Sequence, residues 1–410
     1  MNRRDNYSVT IFLPGRKLLP QIIMALLLIG FGSYARTDSL TAAHSAITRS
    51  EYQSDINPMN IHPSSSDVYT WFVRMQLPNG LLTSSEGNHK VSLYDNALAA
   101  LVFTAHGDYA RAERIFNFFN KRIDSELLSG TGGFASLRQR SGKPIGGRWL
   151  GDNAWLLIAL NNYSAKVKSK KYDRLKVEME SWIRSLQDDD GGLWQGYEDN
   201  VPVRKVTENM IDAFNAVTGY DEFHGKMLRY LKANRWDNER RLLISWPGHA
   251  YELALDNITW GYCALEDFPV ESLNNLTVFR TIKQSSLTEA MITGFCFDVD
   301  LDNVWYEGTG QAVVALQKAG DYQQANFYLM EIEKGMVNSK QFATPKGIPF
   351  VSNHGTGYGE DLLWDNAATM PHVSSAAWYL FGLWNFDPLS IGYYKNIPAA
   401  DKFWLQSSKR

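Results

Sequence analysis

Six apolar segments recur along the chain, and each begins at or next to a polar, titratable residue. The six residues are Asp95, Asp152, Glu208, Asp256, Glu307 and His372, at successive spacings of 57, 56, 48, 51 and 65 residues. This period is longer than the common helical repeats of roughly 34 residues, and it fits two helices with their loops. The spacing therefore predicts about six repeated helical hairpins.

Two nearly identical stretches indicate how the helices are joined. Gly107–Ala112 reads GDYARA and Gly320–Ala325 reads GDYQQA, and each lies between an apolar segment and a second helical pattern. Glycine commonly ends a helix, and aspartate commonly caps the start of the next one. Both stretches are therefore predicted to be the turns of helical hairpins.

The two helices of each hairpin differ in their polarity. The six recurring segments are apolar on nearly all sides, which predicts buried inner helices. Their partners, such as residues 110–122 and 172–186, are amphipathic and suit an outer layer. We expect an all-α chain that closes as an (α/α)6 toroid, with an open superhelix as the alternative. Short strands are expected only in loops, for example at 241–246 and 347–351.

The ends of the chain are predicted to lie outside the ring. Residues 1–35 combine early basic residues with a short apolar run and small residues at a possible cleavage site, the pattern of a signal peptide. An uncleaved signal anchor is the alternative. Residues 36–66 are polar and read as a leader or linker, residues 67–390 as the toroid and residues 391–410 as a tail. The pattern predicts an exported, periplasmic or secreted protein.

Composition excludes some partners and leaves others open. The net charge of −3 provides no basic field for nucleic acid. The two cysteines, Cys263 and Cys296, could pair or be buried singly. Because CxxC and HExxH patterns are absent, we expect no metal and no cofactor. A closed ring buries its own core, so we expect a monomer that contacts a membrane only through an uncleaved anchor.

The carboxylates at the starts of the inner helices could have either of two roles. An acid at a helix start can cap free amides or favour the helix dipole. Capping, however, requires neither the Asn that follows four of these acids nor the Tyr, Gly, Thr or Leu that precedes them. Paired carboxylates across a cleft are what glycosidic hydrolysis uses. The recurrence of the set favours the second reading.

The general acid and the general base are assigned among these carboxylates from the length of each side chain and from the residues next to it. Glu208 is the preferred general acid, because Asp212 lies one helical turn later and could raise its pKa. Glu307, in an aromatic stretch, is the second choice for the acid. Asp152 is the preferred base, with Asp95 next, since a helix N-terminus should lower a carboxyl pKa.

Several other residues are predicted to bind a substrate. Aromatic side chains can stack on sugars, and polar ones can hydrogen-bond to them. The predicted binding residues are Tyr94, Arg148, Trp149, Trp155, Asp212, Trp246, Asp256, Trp305, Tyr306, Tyr358 and His372.

These features together resemble the six-hairpin glycosidases, a superfamily of (α/α)6 toroid enzymes. The resemblance covers about residues 67–388 and rests on the period and on the strings YDN, GDNAW, TEN and WYEG. It implies an oligo- or polysaccharide substrate, such as a glucan or bacterial exopolysaccharide, and acid/base hydrolysis that usually inverts the anomeric carbon.

Other functions remain alternatives on the same toroid. A polysaccharide lyase would need a base such as Tyr94, Tyr306 or His372 and a cation such as Arg148. Residues 187–194 resemble a turn of terpene cyclases, but Asp298–Asp302 does not match the acidic motif of those enzymes. A non-catalytic carbohydrate-binding or scaffold protein is the third alternative.

Overall fold

Twelve helices are present in the part of the chain that the structure describes. The computed structural model describes residues 63–198, 200–248, 252–359 and 361–406. The predicted signal peptide and most of the predicted leader lie outside these residues. The helices are α1 (Pro63–Met75), α2 (Leu93–His106), α3 (Tyr109–Asn120), α4 (Leu150–Val167), α5 (Asp173–Ser185), α6 (Thr207–Ala216), α7 (Glu222–Asn234), α8 (Leu255–Ala264), α9 (Tyr306–Ala319), α10 (Tyr322–Lys334), α11 (Val373–Leu383) and α12 (Ser390–Tyr393).

The inner ring is closed, as the sequence predicts. Helices α2, α4, α6, α8, α9 and α11 each pack against the next, and α11 packs against α2. These six helices begin at or next to the six recurring residues, and most of their side chains are buried. The (α/α)6 toroid is therefore confirmed.

The outer layer departs from a uniform set of hairpins at one position. Helices α3, α5, α7 and α10 each pack on the inner helix that precedes them, and α1 packs on α11. The inner helix α8 is instead followed by a 3-10 segment, Val270–Val278, which packs against it. A short π-helical turn, Ile123–Leu127, follows α3.

The hairpin turns have the predicted geometry. Gly107 and Gly320 adopt left-handed φ angles of 84° and 86°, which end α2 and α9. The side chain of Asp108 accepts a hydrogen bond from the backbone N–H of Arg111, and Asp321 accepts one from that of Gln324. These aspartates are therefore N-caps of outer helices.

Short antiparallel strands form the loops at one end of the ring. The strands are β1 (Lys90–Ser92), β2 (Leu137–Gln139), β3 (Pro144–Ile145), β4 (Arg148–Trp149), β5 (Gly196–Glu198), β6 (Val201–Val203), β7 (Trp236–Asp237), β8 (Leu242–Leu243), β9 (Arg280–Gln284), β10 (Met291–Phe295), β11 (Val337–Asn338), β12 (Lys346–Gly347), β13 (Gly357–Tyr358) and β14 (Asp361–Leu362). They pair in the orders β1-β2-β3, β4-β5-β6, β7-β8, β9-β10, β11-β12 and β13-β14.

The chain termini pack differently from the simple sequence interpretation. Helix α1 begins at Pro63, inside the predicted leader, and buries Trp71 and Phe72 against the core. Helix α12 contacts α4, α6 and α8, and Trp404 near the end of the described chain is buried. Carbonyls of Pro388 and Leu389 accept hydrogen bonds from Asn162 and Asn215 late in α4 and α6. The segment after α11 therefore covers the C-terminal ends of inner helices.

No helix among the described residues is long and apolar enough to cross a bilayer.

Candidate active site

A cavity of about 1050 Å³ lies at the end of the ring where the inner helices begin. Six carboxylic acids reach its lining from five of the inner helices. They are Asp95, Asp152, Glu208, Asp212, Asp256 and Glu307. The structure thus brings together all four predicted catalytic residues and two predicted binding acids.

The inner-helix acids do not occupy the N-cap positions of their helices. Asp152 is the third residue of α4, and Glu208, Asp256 and Glu307 are each the second residue of their helix. The capping positions of these four helices are occupied by Trp149, Val206, Ala254 and Trp305, which make no side-chain capping bond. Helix α2 is capped by Ser92 and not by Asp95. An N-cap role therefore does not explain why an acid recurs at these positions, although the carboxylates of Glu208 and Asp256 accept hydrogen bonds from backbone N–H groups of their first turns.

The asparagine that follows the acid has a structural role in two of the hairpins. Asn96 bonds to both the N–H and the carbonyl of Leu82, and Asn153 does the same to Phe134. Each amide thereby holds the loop that precedes its helix against the helix start. This contact accounts for the repeated Asp-Asn pair without assigning Asn to the chemistry.

Gly151, before Asp152, leaves room for its neighbours on α6. A Cβ at this position would lie 2.7 Å from Nδ2 of Asn209 and 3.3 Å from Oδ2 of Asp212. Helices α4 and α6 can therefore approach closely at the cavity only because residue 151 has no side chain.

The six acids differ in how much of each reaches the cavity. Asp95, Asp212, Asp256 and Glu307 are at most 4% exposed. Asp152 and Glu208 retain partial exposure. A bound molecule would therefore contact Asp152 and Glu208 more readily than the other four.

Burial raises the pKa of the acids at the cavity. Loss of solvation raises the pKa of Asp152 to about 6 and that of Glu307 to about 7. The same cause, with the charges of Glu307 and Asp152, raises the pKa of Asp95 to about 8. For Asp152 and Asp95, the prediction that the helix N-terminus lowers the pKa was wrong, because desolvation inside the ring outweighs the helix dipole.

Glu208, Asp212 and Asp256 form a second set of interacting acids. Burial raises the pKa of Glu208, although the hydroxyl of Ser245 donates to its Oε2 at 2.8 Å and opposes the rise. The pKa values of Asp212 and Asp256 are also raised, first by burial and then by neighbouring carboxylates. Like charges this close cannot all ionise at once, so part of the set stays protonated near neutral pH.

Tyr94 holds Glu307 in place. Its hydroxyl donates to Oε1 of Glu307 at 2.6 Å and accepts from Nε1 of Trp378 at 3.1 Å. Because the indole N–H can only donate, it directs the hydroxyl proton of Tyr94 towards the carboxylate. This bond fixes the orientation of the Glu307 carboxylate, and both Tyr94 and Glu307 line the cavity.

His372 is the N-cap of α11, where its side chain accepts from the N–H of Ser374. The second residue of α11, which corresponds to the acids on other helices, is therefore Ser374. Burial lowers the pKa of His372 to about 3, so the ring is neutral. His372 nevertheless lines the cavity, beside Phe350 and Trp364.

Aromatic side chains form much of the cavity wall. Of the predicted binding residues, Trp149, Trp155, Trp246 and Tyr358 are in the lining. Phe297 stacks on Tyr358 with ring centroids 3.7 Å apart. The wall also contains aromatic residues that sequence reasoning missed, namely Trp260, Phe297, Phe350 and Trp364.

Three predicted binding residues do not reach the cavity lining, and their assignment is corrected. The guanidinium of Arg148 donates to the carbonyls of Glu126, Ser129 and Gly132 and holds that loop. Trp305 is 2% exposed and packs behind Phe297 and Tyr358, and Tyr306 is fully buried. Trp305 and Tyr306 therefore face the core, and Arg148 faces the neighbouring loop.

The loop before β1 was also missed as part of the site. Residues 84–90 line the cavity, as do Gln195, Arg204 and Asn366. These residues lie in loops without a repeated pattern, so no sequence period marks them. Only Trp260 carried a local signal, because it lies four residues after Asp256 on the same helix.

Comparisons with known proteins identify the fold but no family. No model of a known protein family matches the chain, and no curated protein matches it. Among solved structures, a glycosidase in complex with glucose is similar with a TM-score of 0.57 and 14% identity, over 80% of this chain and 97% of that one. An α-amylase from Clostridium perfringens has a TM-score of 0.55 and 11% identity, over 78% and 97%.

Two further structures show the range of proteins with this fold. A sugar epimerase from a ruminal bacterium has a TM-score of 0.53 and 10% identity, over 77% of this chain and 95% of that one. An inactive variant of an α-1,6-mannanase of Salegentibacter, in complex with α-1,6-mannotriose, has a TM-score of 0.50 and 12% identity, over 80% and 98%. The chain has the α/α toroid fold of these proteins, and its chemistry must be argued from its own cavity.

Proposed function

We propose that this protein is a glycoside hydrolase in which Glu208 is the general acid and Asp152 the general base. The observation that carries the proposal is the selective exposure of these two acids. Six acids of the inner helices line one cavity; among these six, Asp152 and Glu208 are partly exposed, whereas the other four are at most 4% exposed. Asp152 and Glu208 lie in the first turns of adjacent inner helices, α4 and α6, which approach each other closely at Gly151.

The protonation states suit these roles. With a pKa of about 6, Asp152 is mostly ionised near neutral pH and can accept a proton. Burial raises the pKa of Glu208, which favours the protonated form that a general acid needs.

The reaction would proceed by inversion. Glu208 donates its proton to the glycosidic oxygen as the bond from that oxygen to the anomeric carbon breaks. Asp152 takes a proton from a water molecule as the water oxygen bonds to the anomeric carbon from the opposite face. Glu208 is then ionised and Asp152 protonated, and exchange with solvent restores both.

The substrate we propose is an oligo- or polysaccharide, specifically a glucan or a bacterial exopolysaccharide. The aromatic wall offers flat faces for sugar rings. The similar structures that hold glucose and α-1,6-mannotriose support a carbohydrate ligand for the toroid. A cavity of about 1050 Å³ is large enough for several sugar units.

The proposal is tested by incubating the protein, purified without its first 35 residues, with α- and β-glucans, α-1,6-mannan and bacterial exopolysaccharides. New reducing ends with at least one polymer are expected, and proton NMR of the first product should show the inverted anomer. Products that absorb in the ultraviolet as unsaturated uronides would show a lyase instead. Binding of a polymer without any cleavage would show a non-catalytic binding protein.

We also propose that the protein is exported and acts as a monomer. The pattern of residues 1–35 supports export, and a closed inner ring buries its own core without a partner. Cell fractionation with N-terminal sequencing tests export and cleavage. Light scattering of the purified protein tests its mass in solution, and a dimer would refute the monomer.

A further inference from the structure

An arginine in the cavity wall carries a positive charge that the protein does not neutralise. Arg204 lines the cavity, and its guanidinium lies over the ring of Trp246, with Cζ 5.2 Å from the ring centroid. No ion pair or hydrogen bond joins this guanidinium to any residue that the structure describes. An arginine can stack on an aromatic face and keep its N–H donors for a ligand.

The next residue in the chain has the opposite surroundings. Nζ of Lys205 lies 2.5 Å from Oδ2 of Asp188 and 2.7 Å from Oδ1 of Asp190, and Lys205 is not part of the cavity lining. Of two adjacent cations, one is therefore paired within the protein and the other lines the cavity. A charge left unpaired in a binding cavity attracts a ligand of the opposite sign.

Backbone contacts hold Arg204 at the wall. Its φ angle of 45° is in the left-handed region, which is uncommon for a residue with a side chain and persists where neighbouring contacts maintain it. One such contact is the carbonyl of Arg204, which accepts a hydrogen bond from the N–H of Gln195 at 2.8 Å. Because Gln195 also lines the cavity, this bond joins two segments of the same wall.

The arginine belongs to the same cavity as the proposed general acid. It lies between β6 and α6, four residues before Glu208, and Trp246 lies between β8 and α8. All three residues line the cavity of about 1050 Å³. A chain of several sugar units that fills this cavity would therefore contact the guanidinium as well as the proposed acid.

The other charges of the lining leave room for an anionic ligand. Lys90 is a second cation of the lining that forms no ion pair with a described residue. The carboxylate of Glu86 already accepts hydrogen bonds from Nε1 of Trp71 and the N–H of Lys340. Burial raises the pKa of the six inner-helix acids, which reduces their negative charge. Asp361 is an exposed acid of the lining.

We propose that the substrate is an acidic polysaccharide and that Arg204 binds the carboxylate of a uronic acid unit. The planar guanidinium can donate two parallel hydrogen bonds to the two oxygens of a carboxylate, which the ammonium group of a lysine cannot do. This inference names the substrate class of the proposed hydrolase and rests on that cavity being a carbohydrate site.

The test compares matched acidic and neutral sugars by isothermal titration calorimetry. Oligomers of glucuronate, galacturonate and mannuronate are each compared with the oligomer of the corresponding neutral sugar and with its sulfated form. At least one uronate oligomer should bind about tenfold more tightly than its neutral counterpart, as expected of a charge-assisted hydrogen bond, and added salt should reduce the difference. The proposal is overturned if no uronate oligomer is preferred, or if only the sulfated forms are.

Variants assign the preference to the arginine. Every protein in the series carries Glu208→Gln, so that heat from cleavage does not contribute. Arg204→Gln should remove most of the preference for the uronate oligomer, and Arg204→Lys should retain part of it. Arg140→Gln is the matched control, because Arg140 is an exposed arginine between β2 and β3, outside the cavity lining, and the parent preference should persist. An equal loss in Arg204→Gln and Arg140→Gln would overturn the assignment.

Binding and cleavage are measured separately, so the two proposals can fail independently. Selective binding of a uronate oligomer without new reducing ends would support the acidic ligand and refute the hydrolase. Cleavage of neutral polymers at least as fast as acidic ones by the parent protein would support the hydrolase and overturn the acidic substrate. Unsaturated products from a uronate oligomer would refute hydrolysis and support the acidic substrate.

Discussion

The starts of the inner helices and the starts of the outer helices use the same residue types for opposite purposes. At the outer helices, Asp108, Asp221 and Asp321 precede the first helical residue and accept hydrogen bonds from backbone N–H groups. At the inner helices, the acids lie two or three residues further along and face the cavity. An acid at the N-cap position therefore caps an outer helix, whereas an acid two or three residues later in an inner helix is a candidate catalytic group.

The two sets also differ in their electrostatics. The pKa of Asp221 is lowered, because contacts with His224 and Arg184 outweigh its partial burial. The pKa of Asp152 is raised to about 6, because burial dominates and only Ser136 and backbone contacts oppose it. Ionised Asp152 therefore lowers the stability of the folded chain, whereas ionised Asp221 increases it. A residue kept at such a cost is a candidate for function.

The largest expected effect is the loss of activity when an acid in the first turn of an inner helix is replaced. Asp152→Asn removes the proposed base while keeping the shape of the side chain, so kcat should fall about 10²–10⁴-fold. Steady-state rates on whichever polymer is cleaved provide the measurement. Asp173→Asn is the matched control, since Asp173 is an exposed acid in the first turn of outer helix α5, and it should retain the parent rate. If both variants lost activity to the same extent, the proposed difference between inner-helix and outer-helix acids would be contradicted.

The pH dependence of the rate should report the same inner acid. The base must be ionised, so kcat/KM should fall about tenfold for each pH unit below about 6, where Asp152 becomes protonated. On the alkaline side of the optimum the rate should fall again as Glu208, whose pKa burial raises, loses its proton. If kcat/KM fell only near pH 4, the ordinary pKa of a carboxyl group, burial would not be raising the pKa of the base.

The next effect is on stability and concerns Asp95. Its pKa of about 8 in the folded chain lies above the unfolded value, so its contribution to stability is present at low pH and is lost as the pH rises towards 8. Asp95→Asn should therefore stabilise the protein at pH 8 relative to pH 5 by at least about 1.4 kcal/mol, the equivalent of one pKa unit. Urea unfolding at both pH values measures this difference. Equal effects at the two values would mean that Asp95 ionises freely when folded.

The smallest effect is expected on stability, when the N-cap residue of an outer helix is replaced. Asp321→Ala removes the cap of α10 and should lower the free energy of unfolding by about 1 kcal/mol, with kcat unchanged. Differential scanning calorimetry measures the loss. Gln323→Ala is the control, because it changes the same exposed turn without removing the cap. If the two variants unfold at the same temperature, the Asp321 cap does not contribute to stability.

The ring itself could be predicted because it is encoded by local patterns that repeat. The Gly-Asp-Tyr turns and the acid-led apolar segments each required only a few adjacent residues to interpret. The wall of the cavity could not be predicted in the same way, since Phe350 and Trp364 reach it from irregular loops. Their positions depend on packing between residues that are distant in sequence, and the repeated sequence pattern does not encode such contacts.

The errors at Trp305 and Tyr306 have a specific cause. The string Val-Trp-Tyr-Glu-Gly suggested an aromatic setting for Glu307, and the aromatic residues are indeed adjacent to it in sequence. At a helix start, however, consecutive side chains point in different directions, so Glu307 faces the cavity while Trp305 and Tyr306 face the core. The raised pKa of Asp152 was missed for a related reason, because burial depends on the closed ring and not on the helix start alone.

The most direct test of the central claim compares Glu208→Gln with Glu222→Gln for both activity and unfolding temperature. Glu208 is the second residue of inner helix α6, and Glu222 is the exposed first residue of outer helix α7. Glu208→Gln should lose at least a hundredfold in kcat while unfolding at or above the parent temperature, and Glu222→Gln should keep the parent rate. Full activity of Glu208→Gln, or a rate loss explained by unfolding, would contradict the claim that the inner acids serve catalysis.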